Sequence, residues 1–121
     1  MSEAGPLRPE DLTPGPLTPG MTRMQAYATD DRWIGHVRSE PGVLSGWHHH
    51  AGHDTYFYVL AGGCHIDLEG GRTFEVHTGD FAHIPAVTVH REGPIGDTAL
   101  EAIVIRFGTG PQSVDVPEPA A

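Results

Sequence analysis

The chain has 121 residues, a length that suits one domain with one modest core. Its formal charge is −9, with 7 basic residues, all arginine, against 16 Asp and Glu. An acidic chain without a basic cluster is poorly suited to nucleic acid or an anionic membrane surface, and the lack of lysine removes Schiff-base chemistry.

The single cysteine, Cys64, forms no intrachain disulfide, which points to a reducing, cytoplasmic setting. With 16 Gly and 11 Pro, more than a fifth of the chain favours turns. Many short elements with tight connections are the all-β pattern.

Residues 1–20 are rich in Pro and Gly, with "LTPG" occurring twice, and read as an extended, loosely ordered arm. They hold no apolar signal-like run, and no stretch of the chain approaches the roughly 18 apolar residues of a membrane span. The ordered domain is expected over 21–108. "RWIGHVR" and "LSGWHHH" are short strand-like runs broken by "SEPG". "TYFYVLA" is aromatic and β-branched, apolar on both faces, and reads as a central strand. In "CHIDLE", Cys64, Ile66 and Leu68 face one way and His65, Asp67 and Glu69 the other. Gly70 and Gly71 then turn the chain into "RTFEV", a hairpin signal. "FAHIP", "VTVHRE" and "ALEAIVIRF" complete about eight strands, and residues 109–121 read as a flexible tail. The pattern predicts a β-sandwich, barrel or jelly roll.

Four of the nine histidines fall between positions 48 and 53. On an extended strand His48 and His50 project together, with Trp47 and His49 opposite. Two imidazoles on one face can grip a metal ion when a third ligand arrives from elsewhere. His53, Asp54 and Thr55 are local candidates, and His90 on a pairing strand is a distant one. His36, His49, His65 and His77 sit on alternating strands and read as solvent-facing or hydrogen-bonded residues. Cys64 reads as a small buried apolar residue.

These residues resemble the two motifs of the cupin family. Gly42, His48, His50 and Gly62 match the first in spacing, and Gly79, Pro85 and His90 match the second. Thr55 stands where the family has Glu, Val87 where it has Gly, and Pro94 where it has Asn. The resemblance implies a double-stranded β-helix, a jelly-roll barrel with its site inside. It carries over His48, His50 and His90 as metal ligands. The missing carboxylate leaves three alternatives: His53 supplies an imidazole, Asp54 takes the position, or the site is three histidines alone.

Three neutral imidazoles leave a divalent ion its full charge, which favours an anionic, chelating organic substrate. Similar cupins with three-His iron sites are oxygenases, so the expectation is a dioxygenase-like centre. Fe(II) is favoured, and Ni, Mn, Cu or Zn also suits imidazole ligands. The competing expectations are a non-catalytic small-molecule binder or sensor, and a metal-dependent isomerase, epimerase or lyase. Tyr56, Tyr58, Phe81 and His83 are candidate pocket walls. Arg91 and Glu92 are expected near the rim or in an ion pair, and Glu101 needs a partner on its apolar face. A homodimer paired through sheet edges is expected.

Overall fold

The period-two patterns of the sequence become strands of two antiparallel sheets. The structure is a computed structural model, and it describes residues 3–120. After a short 3-10 turn at Pro9–Asp11, the strands are β1 (Thr13–Pro14), β2 (Met21–Thr29), β3 (Arg32–Ser39), β4 (His48–His49), β5 (Gly52–Ala61), β6 (Gly63–Leu68), β7 (Thr73–His77), β8 (Phe81–Ile84), β9 (His90–Pro94), β10 (Leu100–Thr109) and β11 (Val114–Asp115). One sheet has the order β1-β2-β3-β10-β5-β8, the other β11-β4-β9-β6-β7. This is the expected double-stranded β-helix. Among the described residues no helix is long and apolar enough to cross a membrane.

The core lies between the sheets. Phe57 and Val59 of β5, Ile84 of β8, and Leu100 and Ala102 of β10 meet Cys64 and Ile66 of β6 and Val76 of β7. Val59 and Ile66 are fully buried, and each such side chain stabilises the fold by roughly 1.5–3 kcal/mol relative to exposure. Parity then fixes the rest of β5. With Phe57 and Val59 inside, His53 and Thr55 are inside too, and Tyr56 and Leu60 are exposed.

Both termini are stitched to the barrel, which composition did not suggest. In the segment read as a loose arm, Thr13 and Pro14 pair with Gln25 and Met24 of β2, and the Gly15 amide donates to the Arg23 carbonyl at 2.8 Å. In the segment read as a tail, Val114 and Asp115 pair with His49 and His48. Backbone groups of extended Pro-rich chain still need partners, and a sheet edge offers them.

Candidate metal centre

Strand pairing assembles the site. His48 on β4 is registered directly against His90 on β9, and His50 follows on the same face as His48. One ring nitrogen from each of His48, His50 and His90 lies within 4.8 Å of the others, and all three side chains are buried. The ring centroids stand 4.4 to 5.1 Å apart.

The tautomers are set by the backbone. His48 Nδ1 donates to the Gly46 carbonyl at 2.8 Å, His50 Nδ1 to the Gln112 carbonyl at 2.8 Å, and His90 Nδ1 to the Thr88 carbonyl at 2.9 Å. Each Nε2 is then a bare lone pair aimed at the shared space, the arrangement that orients metal-ligating histidines. His90 Nε2 is buried with no hydrogen-bond partner. Such an orphan is costly unless something fills the space it faces, and a cation does so. The donor set therefore fits a divalent transition metal.

Electrostatics makes His50 a ready ligand and ties His90 to Glu92. Burial, reinforced by the Arg106 charge, pushes His50 down to about 3, so it is neutral and able to ligate. For His90 burial favours the neutral ring, but the Glu92 carboxylate outweighs it and raises the pKa. Burial would raise Glu92, yet its contact with His90, with His48 and His50 behind, brings it to about 2.

The two repairs for the missing carboxylate do not occur. His53 shares the inner face of β5 with Thr55 as expected, but its Nε2 donates to the Gly110 carbonyl at 3.0 Å and ties β5 to the turn after β10. Asp54 faces the other way. Its Oδ1 accepts from His83 Nε2 and from the Ala86 amide, both at 3.2 Å. Thr55 Oγ1 accepts from Arg106 Nε at 3.0 Å, so an arginine occupies the surroundings of the family's Glu position.

The proposed wall residues lie outside the cavity. Tyr56 stacks on His83 at 4.4 Å, and Tyr58 packs against Phe81 at 4.7 Å, on the outer surface of the six-stranded sheet. Phe81 is 81% exposed. The walls come instead from the inner faces of β2, β3, β5, β8, β9 and β10. An inner cavity of about 70 Å³ is lined by His50, His90, Glu92, Thr55 and Arg106 over an apolar floor that includes Phe57, Ile84 and Leu100. It shares residues with an outer cleft of about 500 Å³, rimmed by Pro16, Thr18 and Arg23 on one side and Gln112 and Ser113 on the other.

Two arginines flank the cleft. Arg106 is anchored by Thr55 and, at 3.3 Å, by Gln112 Oε1, and its guanidinium lies 5.9 Å over the Trp33 ring. Arg23 is held by the Pro16 carbonyl and by Thr18 Oγ1 at 2.9 Å. Burial lowers the pKa of each from its ordinary value near 12.5, which still leaves both charged at neutral pH.

Sequence reasoning placed Glu92 near the rim or in an ion pair without giving it a role at the histidines, and it missed both arginines. Glu92 follows His90 by two on β9, so alternation alone puts it on the ligand face. Arg106 follows Leu100 and Ala102 on the inward face of β10 in the same way. The expected ion pair of Arg91 does form, with Asp67 Oδ2 at 2.8 Å. Glu101 finds its partners across the strands, His36 at 3.3 Å and Arg38 at 3.8 Å.

The Cupin domain family model matches residues 35–106. No curated protein matches the chain in sequence. Among solved structures, an uncharacterised conserved protein with a double-stranded β-helix domain from Klebsiella pneumoniae superposes with TM-score 0.74 at 16% identity, covering 96% of this chain and 100% of that one. KdgF from Halomonas sp. gives TM-score 0.70 at 22% identity, covering 87% and 94%. Lactobacillus farciminis oxalate decarboxylase, in its formate complex, gives 0.72 at 20%, covering 88% of this chain but 34% of its own length.

Proposed function

Because the chain belongs to the cupin family, we propose that it is a metal-dependent enzyme acting on a small anionic, chelating organic molecule in a dioxygenase-like reaction. His48, His50 and His90 hold the ion, a divalent transition metal with Fe(II) foremost. That ion supplies Lewis acidity and, as Fe(II), the means of activating O2. Arg106 and Arg23 bind and orient the carboxylate or enolate of the substrate, and the apolar floor limits its size. We read the protein as cytoplasmic and as a homodimer.

One observation carries the proposal: three buried Nε2 lone pairs converge in a cavity beside two anchored guanidiniums. His90 Nε2 is buried without a hydrogen bond, and the nearest polar group is the Glu92 carboxylate at 3.4 Å.

The test is elemental analysis of anaerobically purified protein, wild type and His50→Ala, followed by O2 uptake with small hydroxy and keto acids. Wild type is expected to hold about one metal per chain, and His50→Ala to lose it. Turnover only with Fe(II) and O2 supports the oxygenase. Anaerobic turnover with Zn(II) replaces it with an isomerase or lyase. Thermal stabilisation by ligand without any product makes the protein a binder. Wild type that holds and takes up no metal ends the proposal.

A further inference from the structure

We propose that Glu92 is the fourth protein ligand of this centre, a carboxylate moved from β5, where position 55 lacks it, to β9. The inference rests on reading the three histidines as a metal site and concerns how that site is completed.

Geometry points to Glu92. Its Oε2 lies 3.4 Å from His90 Nε2, and its Oε1 lies 3.9 Å from His48 Nε2. Two donors about 2.1 Å from one ion stand roughly 3.4 Å apart in a tetrahedron and roughly 3.0 to 4.2 Å apart in an octahedron. The 3.4 Å separation matches that spacing, while the 3.9 Å one is made by the other oxygen. Among the described residues only the three histidines have ligand atoms all within 4.8 Å of one another, so ligation requires the carboxylate to turn further toward His50. Since His90 Nδ1 donates to Thr88, its Nε2 lone pair faces carboxylate oxygens that carry lone pairs of their own. A shared cation stabilises such a pair: a proton gives a His90–Glu92 ion pair, and a divalent ion gives a ligated centre.

The backbone of Glu92 is fixed for this task. Its amide donates to Ser45 Oγ at 2.9 Å, and its carbonyl accepts from the Ser45 amide at 2.9 Å. The segment that leads to His48 therefore holds the strand that carries Glu92. No other carboxylate lines the inner cavity among the described residues. Thr55 Oγ1 is occupied by Arg106.

Charge gives the reason for the move. A divalent ion on three neutral imidazoles beside Arg106 and Arg23 concentrates positive charge in a small, partly buried volume. One ligating carboxylate lowers the ion to a net +1. A carboxylate at position 55 would stand beside Arg106, as Thr55 Oγ1 does at 3.0 Å. On β9 it faces the histidines.

Zn(II), a redox-inert probe, separates the outcomes. Its affinity is measured by competition with a chromophoric chelator for wild type, Glu92→Gln and Glu92→Ala, and the crystal structure of the Zn(II)-loaded wild type is solved. Expected are an affinity loss beyond about 100-fold in the variants, more than the 10–100-fold that losing a merely orienting partner costs, and a Glu92 oxygen about 2.0–2.2 Å from the ion. Variants that bind as wild type does, or a loaded structure with the carboxylate outside ligand range, overturn ligation by Glu92 and leave a three-histidine site standing. Wild type that binds no Zn(II) overturns the metal centre and this inference together. The wild-type structure decides the point even if a variant folds poorly.

Discussion

Val87 holds a backbone conformation that its side chain resists. It sits at φ +56°, in the left-handed region, at the position where cupins carry glycine. Its amide donates to the Ala51 carbonyl at 2.9 Å, so the turn before His90 keeps the family's geometry without the family's residue. A β-branched residue there costs about 1–2 kcal/mol, while glycine would cost about 0.4–1 kcal/mol through the freer unfolded chain. The strain is the larger effect. Val87→Gly is therefore expected to stabilise the protein by about 0.5–1 kcal/mol, raising the calorimetric Tm by about 2–6 °C. A lower Tm would mean that the side chain, 65% exposed, makes contacts worth more than the strain. Cys64 is the opposite case, a residue at ease. It is 2% exposed within the core cluster, and burial pushes its thiol up, away from the reactive thiolate. Native protein is expected to resist a thiol-reactive dye and to label fully once denaturant is added. Native labelling at the rate of a free thiol would contradict the packing described here.

At the level of elements, the connection from β5 to β6 bears a tight constraint. Gly62 has φ +73°, and a Cβ there would collide with the Ala99 carbonyl. Thr78 Oγ1 also donates to the Gly62 carbonyl at 2.7 Å, so the turn is pinned from a third segment. Gly62→Ala combines left-handed strain of about 1–2 kcal/mol with overpacking of about 1–3 kcal/mol. A loss of about 2–5 kcal/mol in chemical denaturation is expected, and a loss below 1 kcal/mol would show that the loop yields. Gly62 and Gly79 were legible from motif spacing, as were His48, His50 and His90, because turns and ligands sit at fixed intervals along strands. Face assignment was legible too, but only once an anchor was chosen. Taking Thr55 as cavity-facing places Phe57 and Val59 inside and Tyr56 and Tyr58 outside. The aromatic character of the latter pair suggested pocket walls, and parity forbids it. Glu92 was expected only at the rim or in an ion pair, because the family's carboxylate position drew attention to β5, although alternation from His90 puts it on the ligand face in one step. The pairing of residues 13–14 and 114–115 was not legible. Each is a two-residue contact, one with the next strand and one with a strand far back along the chain, and Pro-rich composition carries no mark of such a partner.

The whole molecule presents one side that water does not suit. Cross-strand register on the outer face of the six-stranded sheet lines up Tyr27, Ile34, Ile105 and Tyr56 in one row. The next row holds Ile103, Tyr58 and Phe81. His36 and His83 stand in these rows beside the apolar side chains, and a largely apolar face of this kind suits an association surface. The homodimer proposed above fits this flat face better than the sheet edges, because β1 is a two-residue strand and offers little to pair with. Association costs about 4–15 kcal/mol in lost freedom, and two copies of formal charge −9 repel. Apolar burial at about 25 cal/mol per Å² must exceed both. An interface near the standard size of about 800 Å² per partner contributes roughly 40 kcal/mol at most before side-chain ordering and polar desolvation are subtracted, so the balance favours pairing only if the aromatic centre is used. Two results follow for light scattering. The particle is expected at twice the mass of the chain, and Phe81→Glu is expected to halve it without lowering the Tm appreciably, because an exposed substitution costs within about 0.5 kcal/mol in the folded monomer. Added salt should tighten the dimer, since screening over about 8 Å at physiological ionic strength weakens like-charge repulsion and leaves apolar contacts intact. A single-chain mass for wild type at micromolar concentration, or a dimer that salt dissociates, would remove the face from consideration and leave the aromatic rows as part of the monomer's own surface.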